Sequence, residues 1–355
     1  MKHEGTRRRF GAGLLITAVL LLTAALAAFY LWHHAKLRKE ARILQGRGWQ
    51  YATADGAYSL SFLKSGNDAG AHRIVALSGL GVNDFSVQLR LMNASLGNDD
   101  LLVCIDRAGY GLSNDTKTPQ TVQQIVSDYR AALQSANISP PYILLPHAFG
   151  GVYAAYWESQ YPDEIEGVFF LDGTCLSETG TAPQAESAGN FRKLLANFGT
   201  ERLKEHTLPE GFSAAERQSA ELLTLHSAVT SAQISEMQLA QENYSAAYEA
   251  LVTNPIPKAY INVDAFQSAE EWLAAADWAR SFRQLPEIPD AERLQTAQQQ
   301  ITVSRQYTEQ TVKPYLEQLG NCAYYELPGD SYIHMQKPMQ CAVLFTQFLM
   351  QLESE

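Results

Sequence analysis

The sequence has little of what several large classes of protein require. Four cysteines in 355 residues are too few for a fold built on disulfide bonds. Charged residues make up 18% of the chain and hydrophobic residues 46%, a composition that argues against an intrinsically disordered protein. The His and Cys residues do not cluster at the spacings of metal ligands, so we expect neither a metal site nor another cofactor.

Basic residues are scarce beyond the N-terminal segment. Residues 1–42 hold eight Lys and Arg and two Glu, which leaves 19 basic and 36 acidic residues in the rest of the chain. The net charge of that remainder, −17, would repel a polyanion. We therefore do not expect nucleic acid as a partner.

One long N-terminal segment carries no charge. Residues 10–32 are mostly Ala, Leu, Val, Ile and Phe, and as a helix they would extend about 34 Å, enough to cross a hydrocarbon core of about 30 Å. Phe29, Tyr30 and Trp32 close the segment with the aromatic residues typical of a membrane–water interface. The pattern predicts a tail over 1–9, a transmembrane anchor over 10–32 and a basic juxtamembrane linker over 33–56.

Other interpretations of this segment remain open. Ala-Leu-Ala at 25–27 resembles a signal-peptidase site, and Thr-Arg-Arg-Arg-Phe at 6–10 resembles a twin-arginine export signal. A buried helix of a soluble protein is a third alternative. Four basic residues precede the apolar segment and four follow it, so the positive-inside rule does not fix the orientation. We expect an uncleaved single-pass anchor in the cell membrane with an extracytoplasmic body.

The body of the chain reads as alternating strands and helices. Alternation of apolar and polar residues over 58–63 predicts an edge strand. Short apolar runs that predict buried strands follow at 73–77, 101–105, 142–145, 168–171, 259–263 and 323–327. Amphipathic stretches separate these runs, and residues from about 176 to 257 show helical spacing without a strand. The pattern predicts one α/β domain over 57–355, a mostly parallel sheet covered on both faces, with an inserted helical lid at about 176–257.

Three short sequences, in this order, resemble those of the α/β-hydrolase fold family. Ser-Gly-Leu-Gly at 78–81 is similar to its oxyanion loop, where His usually stands in place of the Ser. Asp-Arg-Ala-Gly-Tyr-Gly-Leu-Ser at 106–113 is similar to the turn after the next strand. Leu-Pro-His-Ala-Phe-Gly-Gly at 145–151 resembles the nucleophile elbow. The resemblance covers about residues 57–352 and implies the fold of that family.

The positions that would carry catalysis depart from the family's pattern. In the elbow, Ala148 stands where the nucleophilic Ser is expected and Pro146 where the first Gly is expected. The segment 328–338 resembles the family's Ser-Gly-His-x-Ile-His-Leu-x-x-Pro, and its Ile-His and Pro matches put Ser331 at the position of the general base. The resemblance implies an acid after the strand at 259–263, which makes Asp264 the candidate, with Asp172 as the other. A methyl group has neither a lone pair nor a proton to transfer, so Ala148 cannot form an acyl-enzyme.

A ligand pocket remains a prediction despite these departures. Gly79, Leu80 and Phe149 would supply the main chain of the oxyanion hole. Two residues are candidate substitutes for the missing groups. His334 becomes the base if the C-terminal match is shifted by three residues, and Cys175 follows a strand at the pocket rim. For His147, beside the elbow, we expect only a packing role.

These observations favour a protein that binds and does not catalyse. The leading interpretation is a membrane-anchored pseudo-hydrolase that takes a small acyl or apolar ligand, or a protein partner. The alternative is a divergent hydrolase, an esterase, lipase-like enzyme or peptidase, with a relocated nucleophile or with water activated by His334. A purely structural module at the membrane surface is a third class.

Overall fold

The computed structural model of the chain describes residues 2–54, 58–97, 99–183, 189–283 and 285–354. These residues form a sheet of eight strands in the order β1-β2-β4-β3-β5-β6-β7-β8. The strands are β1 Trp49–Ala54, β2 Tyr58–Gly66, β3 Arg73–Leu77, β4 Leu101–Ile105, β5 Tyr142–Pro146, β6 Ile165–Leu171, β7 Lys258–Asn262 and β8 Cys322–Glu326. From β4 through β8 neighbouring strands pair in parallel, whereas β1 with β2 and β2 with β4 are antiparallel.

Helices connect the strands and cover both faces of the sheet. They are α1 Lys2–Gly46, α2 Phe85–Gln88, α3 Arg90–Asn93, α4 Val122–Ser135, α5 Gly150–Gln160, α6 Asn190–Asn197, α7 Ala214–His226, α8 Ser231–Gln238, α9 Ala240–Glu249, α10 Ala269–Arg280, α11 Arg293–Tyr307, α12 Lys313–Leu319, α13 Ile333–Gln336 and α14 Pro338–Leu352. One apolar core packs α4, α5, α9 and α12 against one face. A second core packs α2, α3 and α14 against the other. The predicted α/β class with a mostly parallel, doubly covered sheet is confirmed.

Most predicted elements match the observed ones within a few residues. The runs at 73–77 and 101–105 are β3 and β4, and every residue of β4 is buried, as expected for a strand with helices on both sides. The amphipathic stretch between the runs at 101–105 and 142–145 contains α4, which begins where the Thr121 hydroxyl accepts a hydrogen bond from the amide of Gln124.

The predicted edge strand is one position away from the edge. β2 has a neighbour on each side, because β1 pairs with it from Trp49↔Leu63 to Ala54↔Tyr58. Trp49, Ala52 and Ala54 of β1 are buried while the residues between them are exposed. Buried and exposed residues therefore do not alternate regularly along β1. For this reason the sequence pattern did not predict β1 as a strand.

The segment between β6 and β7 is helical, as predicted, and contains α6 to α9. A capping box begins α7: the Ser213 hydroxyl accepts from the amide of Glu216, and the Glu216 carboxylate accepts from the amide of Ser213. Residues 184–188 of the predicted lid lie outside the described residues. We call the described part of this segment, residues 176–183 and 189–257, the helical insertion.

The N-terminal helix α1 is 45 residues long. Among the described residues, α1 is the one helix that is both long enough and apolar enough to cross a membrane. An 18-residue window within it has a mean hydropathy of 2.2 and is not buried in the protein. The apolar side chains from Leu15 to Trp32 are exposed. This supports a membrane-spanning segment by length and composition.

The segment predicted as a juxtamembrane linker, 33–56, is instead ordered structure. It continues α1 to Gly46 and then forms β1, while residues 55 and 56 lie outside the described residues. His33, Glu40 and Leu44 are buried and Leu37 is partly buried. These four residues recur at spacings of four, three and four, so they lie on one face of the helix. That face packs on the helical insertion, including its helix α7, which fixes α1 to the body.

Candidate active site

The turn between β5 and α5 has the geometry of a strand-to-helix elbow. Ala148 at its tip adopts the left-handed conformation, with φ of 47°, which costs a non-glycine residue about 1 kcal/mol or more. Its carbonyl oxygen accepts hydrogen bonds from the amides of Gly151 and Thr174, each at 2.9 Å. A Cβ on Gly150 would lie 2.3 Å from the carbonyl oxygen of Leu77. The tight turn therefore places the side chain of residue 148 at its tip, and that side chain is a methyl group.

The loop after β3 lies directly against this elbow. A Cβ on Gly79 would be 3.1 Å from the Cβ of Ala148 and 3.6 Å from the amide nitrogen of Phe149. Phe149 is buried and its ring contacts Tyr153, whereas Leu80 is partly buried against the same core. The structure thus brings Gly79 and Phe149 together beside Ala148, with Leu80 next in the loop.

A buried arginine holds the loop in this position. The Arg107 guanidinium donates to the carbonyl oxygens of Ser78, at 2.6 Å, and Gly79, at 2.9 Å. Its Nε lies 2.8 Å from the carboxylate of Glu236 in α8, and both side chains are 1% exposed. The Tyr153 hydroxyl donates to the same carboxylate. Since a charge buried at this depth needs a partner, Glu236 ties the helical insertion to the loop beside the elbow.

Two adjoining cavities open on either side of Asp172, the residue that follows β6. The larger, of about 880 Å³, is lined by Ala148 and Cys175. The smaller, of about 420 Å³, is lined by Ser331. Both include Asp172 and Asp264. The larger cavity also includes Thr174, Tyr244, Tyr260, Gln300 and Tyr307, and the smaller one includes Val263, Phe266, Trp272, Ala275, Leu285 and Ile288.

The two carboxyl groups differ in their surroundings. Asp172 adopts a φ of 51° and is partly buried. Burial and the nearby Asp264 and Asp330 raise the pKa of Asp172 well above its usual range. Burial also raises the pKa of Asp264, although its carboxylate accepts a hydrogen bond of 3.2 Å from the Ser304 hydroxyl. The neutral form of the Asp172 carboxyl is therefore more favourable here than it is for a carboxyl group in water.

The C-terminal loop brings Ser331 to the elbow. Its main-chain oxygen accepts a hydrogen bond of 2.9 Å from Nε2 of His147, and the residue lines the smaller cavity beside Asp172 and Asp264. Ser331, which the sequence match without a shift puts at the family's base position, therefore lies next to the elbow.

His334 lies in a different environment. It is fully buried, its Nε2 is 3.2 Å from the side-chain oxygen of Gln88, and its ring packs against Phe85 and His147. Burial lowers the pKa of His334 well below the usual range. It lines neither of the two cavities beside Asp172.

Cys175 does line the larger cavity, but its thiol is poorly suited to attack. The side chain is 2% exposed, and the sulfur lies 3.3 Å from the hydroxyl of Tyr260. Burial raises the pKa of the thiol to about 12, so the reactive thiolate is rare at neutral pH. Among the described residues, no group of three His, Cys, Asp or Glu is arranged to hold a metal ion.

No family model matches the chain, but solved structures do. Haloalkane dehalogenase DbeA from Bradyrhizobium elkani superimposes with a TM-score of 0.52 at 14% identity, over 86% of this chain and 99% of that one. Cfl2 from Burkholderia cenocepacia gives 0.55 at 17% identity, over 84% and 95%. This chain has the α/β-hydrolase fold.

Among curated proteins, the uncharacterized protein YbdG of Bacillus subtilis is 30% identical over 155 residues, 44% of this chain and 46% of that protein. The chain spans less than half the length of the curated relatives it matches.

Two groups of residues at this site, an ion pair and three tyrosines, were not assigned a role from the sequence. Arg107 belongs to a recognised motif, yet its partner Glu236 lies 129 residues further on and in another helix, a separation that no local pattern reports. Tyr244, Tyr260 and Tyr307, which line the larger cavity, come from α9, β7 and α11. Their shared location follows only from the folded chain.

Proposed function

We propose that this α/β-hydrolase-fold protein binds a small ligand without Ser-His-acid catalysis. The observation that carries the proposal is the side chain at the tip of the elbow, the methyl group of Ala148 at a φ of 47°. The second support is Ser331, which stands beside the elbow where a base would be needed. Neither side chain can start acyl transfer in the way of a Ser-His pair.

The cavities favour a ligand with an acyl or apolar portion and a polar end. The smaller cavity is lined mostly by apolar side chains such as Phe266, Trp272 and Leu285, which suit a short hydrocarbon chain. Asp172 and Asp264 stand where the two cavities join and suit a hydroxyl, ester or carboxyl group. Concave sites of this size favour a small ligand over a protein partner.

The alternative function, a divergent hydrolase, requires another nucleophile or a water-activating base. The similarity in fold to a structure named as a haloalkane dehalogenase is the reason to consider this alternative. The contacts of His334 with Gln88 and the raised pKa of Cys175 do not favour either residue in that role. Weak ester hydrolysis alone would not decide, because a scaffold without its triad retains about 10³–10⁴-fold catalysis over water.

The proposal includes attachment to the cell membrane through α1, with the body on the extracytoplasmic side. The exposed apolar surface of α1 supports the attachment, and orientation is tested by fusing reporters active on only one side of the membrane to the C-terminus. A reporter active only in the cytoplasm would overturn the orientation and leave the ligand proposal intact.

The experiment that tests ligand binding uses the full chain in detergent micelles, because α1 residues through Leu44 pack on the body. Fatty acids, fatty alcohols and their short esters are titrated while the melting temperature is followed. A ligand present at about 100 times its dissociation constant stabilises the fold by about 2.7 kcal/mol, a clear shift. The Asp172→Ala variant removes the polar group where the two cavities join and should weaken binding. Catalytic turnover of a natural ester by the unaltered chain would overturn the proposal.

A further inference from the structure

The helix α6 exposes an apolar face. Phe191, Leu194 and Leu195 are 70, 52 and 38% exposed, and with the partly buried Phe198 they recur at spacings of three, one and three residues. At 100° per residue these four side chains lie on one side of the helix. We call this side the α6 face. A contiguous exposed apolar patch of this kind on a folded protein marks an interaction surface.

The α6 face lies beside the end of the membrane-spanning part of α1. The ring of Phe198 is 5.6 Å from the ring of Tyr30, and the Arg202 guanidinium lies 5.8 Å from the ring of Trp32. Tyr30 and Trp32 are the last aromatic residues of the apolar segment. Leu203, one residue after Arg202, is 86% exposed. The exposed apolar residues of the insertion are thus continuous with the apolar surface of α1.

This contact is held by more than the aromatic rings. Arg202 forms a two-pronged ion pair with Glu40, with distances of 2.9 and 2.6 Å, and its Nε donates to Nδ1 of His33 at 2.9 Å. A Cβ on Gly199 would lie 2.7 Å from the same His33 nitrogen. This segment of the insertion therefore packs closely on α1, immediately after the apolar span, and cannot lie far from the membrane surface if α1 crosses the bilayer.

The charges around this junction suit an anionic membrane surface. Lys36, Arg38, Lys39 and Arg42 are exposed on α1, and Arg192 and Lys204 are exposed on the insertion. Lys36 and Lys204 pair with Glu40 and Glu201, and the six basic side chains outnumber these two acidic ones, whereas the rest of the chain is strongly acidic. An exposed Lys or Arg side chain close to anionic headgroups is attracted to them electrostatically.

We propose that the α6 face and Leu203 are immersed in the headgroup region of the same bilayer that α1 crosses, so that the protein has a second, monotopic contact with lipid. The aromatic and aliphatic side chains on one face, with basic residues beside them, form the pattern of an interfacial helix. The proposal rests on the membrane attachment in the proposed function and is independent of the ligand.

The test uses the full chain in vesicles of phosphatidylcholine and phosphatidylglycerol, with an environment-sensitive fluorophore on single introduced cysteines. Leu194→Cys and Phe191→Cys report on the α6 face, and Asn197→Cys reports on another side of the same helix. Leu20→Cys reports on the span, and Leu294→Cys, at an exposed leucine on α11, is the matched control. The unaltered chain corrects for labelling of native cysteines. Quenching is measured with lipids that carry a nitroxide on the upper acyl chain, and for position 20 also with lipids that carry it near the end of the acyl chain.

We expect positions 191 and 194 to lose about half of their emission to the nitroxide lipids, with position 197 quenched less and position 294 unaffected. Quenching at 20 without quenching at 191 and 194 would overturn the proposal and leave the anchor intact. Shielding from water at 194 without quenching would mean that protein covers the face, which also overturns it. An absence of quenching at 20 would overturn the anchor and the lipid contact together. The ligand titration of the proposed function is read separately.

Discussion

The Nε2 atom of His147 donates a hydrogen bond of 2.9 Å to the main-chain oxygen of Ser331. This bond joins the elbow to the C-terminal loop, so the two positions where the fold would carry its nucleophile and its base are held side by side. A carbonyl oxygen only accepts, so His147 carries its proton on Nε2. Burial lowers the pKa of His147 to about 4, which keeps the ring neutral at physiological pH.

The first prediction concerns restoration of the missing groups. The Ala148→Ser/Ser331→His double variant should hydrolyse short aryl esters at least about tenfold faster than the natural chain, because the elbow, the loop at Gly79 and a carboxyl group are already in position. Each single variant should show no such gain, since triad members act as a unit. Steady-state turnover of the four proteins is the measurement. A stable but inert double variant would mean that the groups are not aligned for catalysis.

The second prediction concerns acid stability. The pKa of His147 is lowered in the folded chain from 6.5 to about 4, so between these values the unfolded chain binds a proton that the folded chain does not. The contribution of His147 to the free energy of unfolding is therefore complete above pH 6.5. As the pH falls from 6.5 towards about 4, this contribution decreases by about 1.4 kcal/mol per pH unit. In His147→Gln that part of the slope should disappear. Urea unfolding at pH 4.5, 5.5 and 7.5 compares the two proteins, and parallel pH profiles would contradict the assignment.

The third prediction concerns the ion pair beneath the oxyanion loop. Glu236→Gln leaves the Arg107 guanidinium buried without its counter-charge, and we expect a loss of about 3–5 kcal/mol in the free energy of unfolding. Asp68→Asn, which removes an exposed partner of Lys64, is the control and should cost less than about 1 kcal/mol. Equal effects of the two substitutions in urea unfolding would argue against this role of Glu236.

The fourth prediction concerns the close approach of Gly150 to β3. Gly150→Ala would put a methyl group 2.3 Å from the carbonyl oxygen of Leu77, so the elbow must shift and the melting temperature should fall. Gly46→Ala is the matched control, because a Cβ at that position meets nothing within 4 Å. The control should unfold at the temperature of the natural chain. Tolerance of Gly150→Ala would mean that the turn is more adaptable than its packing indicates.

The fifth prediction concerns thiol reactivity. Burial raises the pKa of Cys104, Cys175, Cys322 and Cys341 to about 12 in each case, so iodoacetamide at pH 8 should modify the folded chain slowly. After unfolding in guanidinium, all four cysteines of the sequence should react within minutes, as ordinary thiols do. Mass spectrometry follows both reactions. Rapid modification of Cys175 in the folded chain would revive it as a nucleophile.

Much of the sheet could be predicted from the sequence, because each central strand is a short apolar run with helices on both sides. The motif at 145–151 also identified the elbow, since its glycine and the residues around it are required by a local turn. Both features depend on residues that are close together in the chain, so the sequence pattern is enough to predict them.

The continuation of α1 could not be predicted for the opposite reason. Two of the four residues on its docking face are His33 and Glu40, which are polar and look like part of a solvated linker. Their burial depends on Arg202, more than 160 residues away. The pairing of Arg107 with Glu236 escaped prediction for the same reason.

One unbroken helix, α1, forms both the apolar span and the face that packs on the body. The rotation of the body about the helix axis is therefore fixed relative to the span. An extra residue in α1 between Trp32 and His33 would turn the body by about 100° around the helix axis and lift it by about 1.5 Å. Seven extra residues make about two helix turns, which would return the body to within about 20° of its original facing and lift it by about 10 Å. The length of α1 between the apolar span and the packed face would therefore set the height of the body above a bilayer that α1 crosses, and the rotation of the body relative to the span.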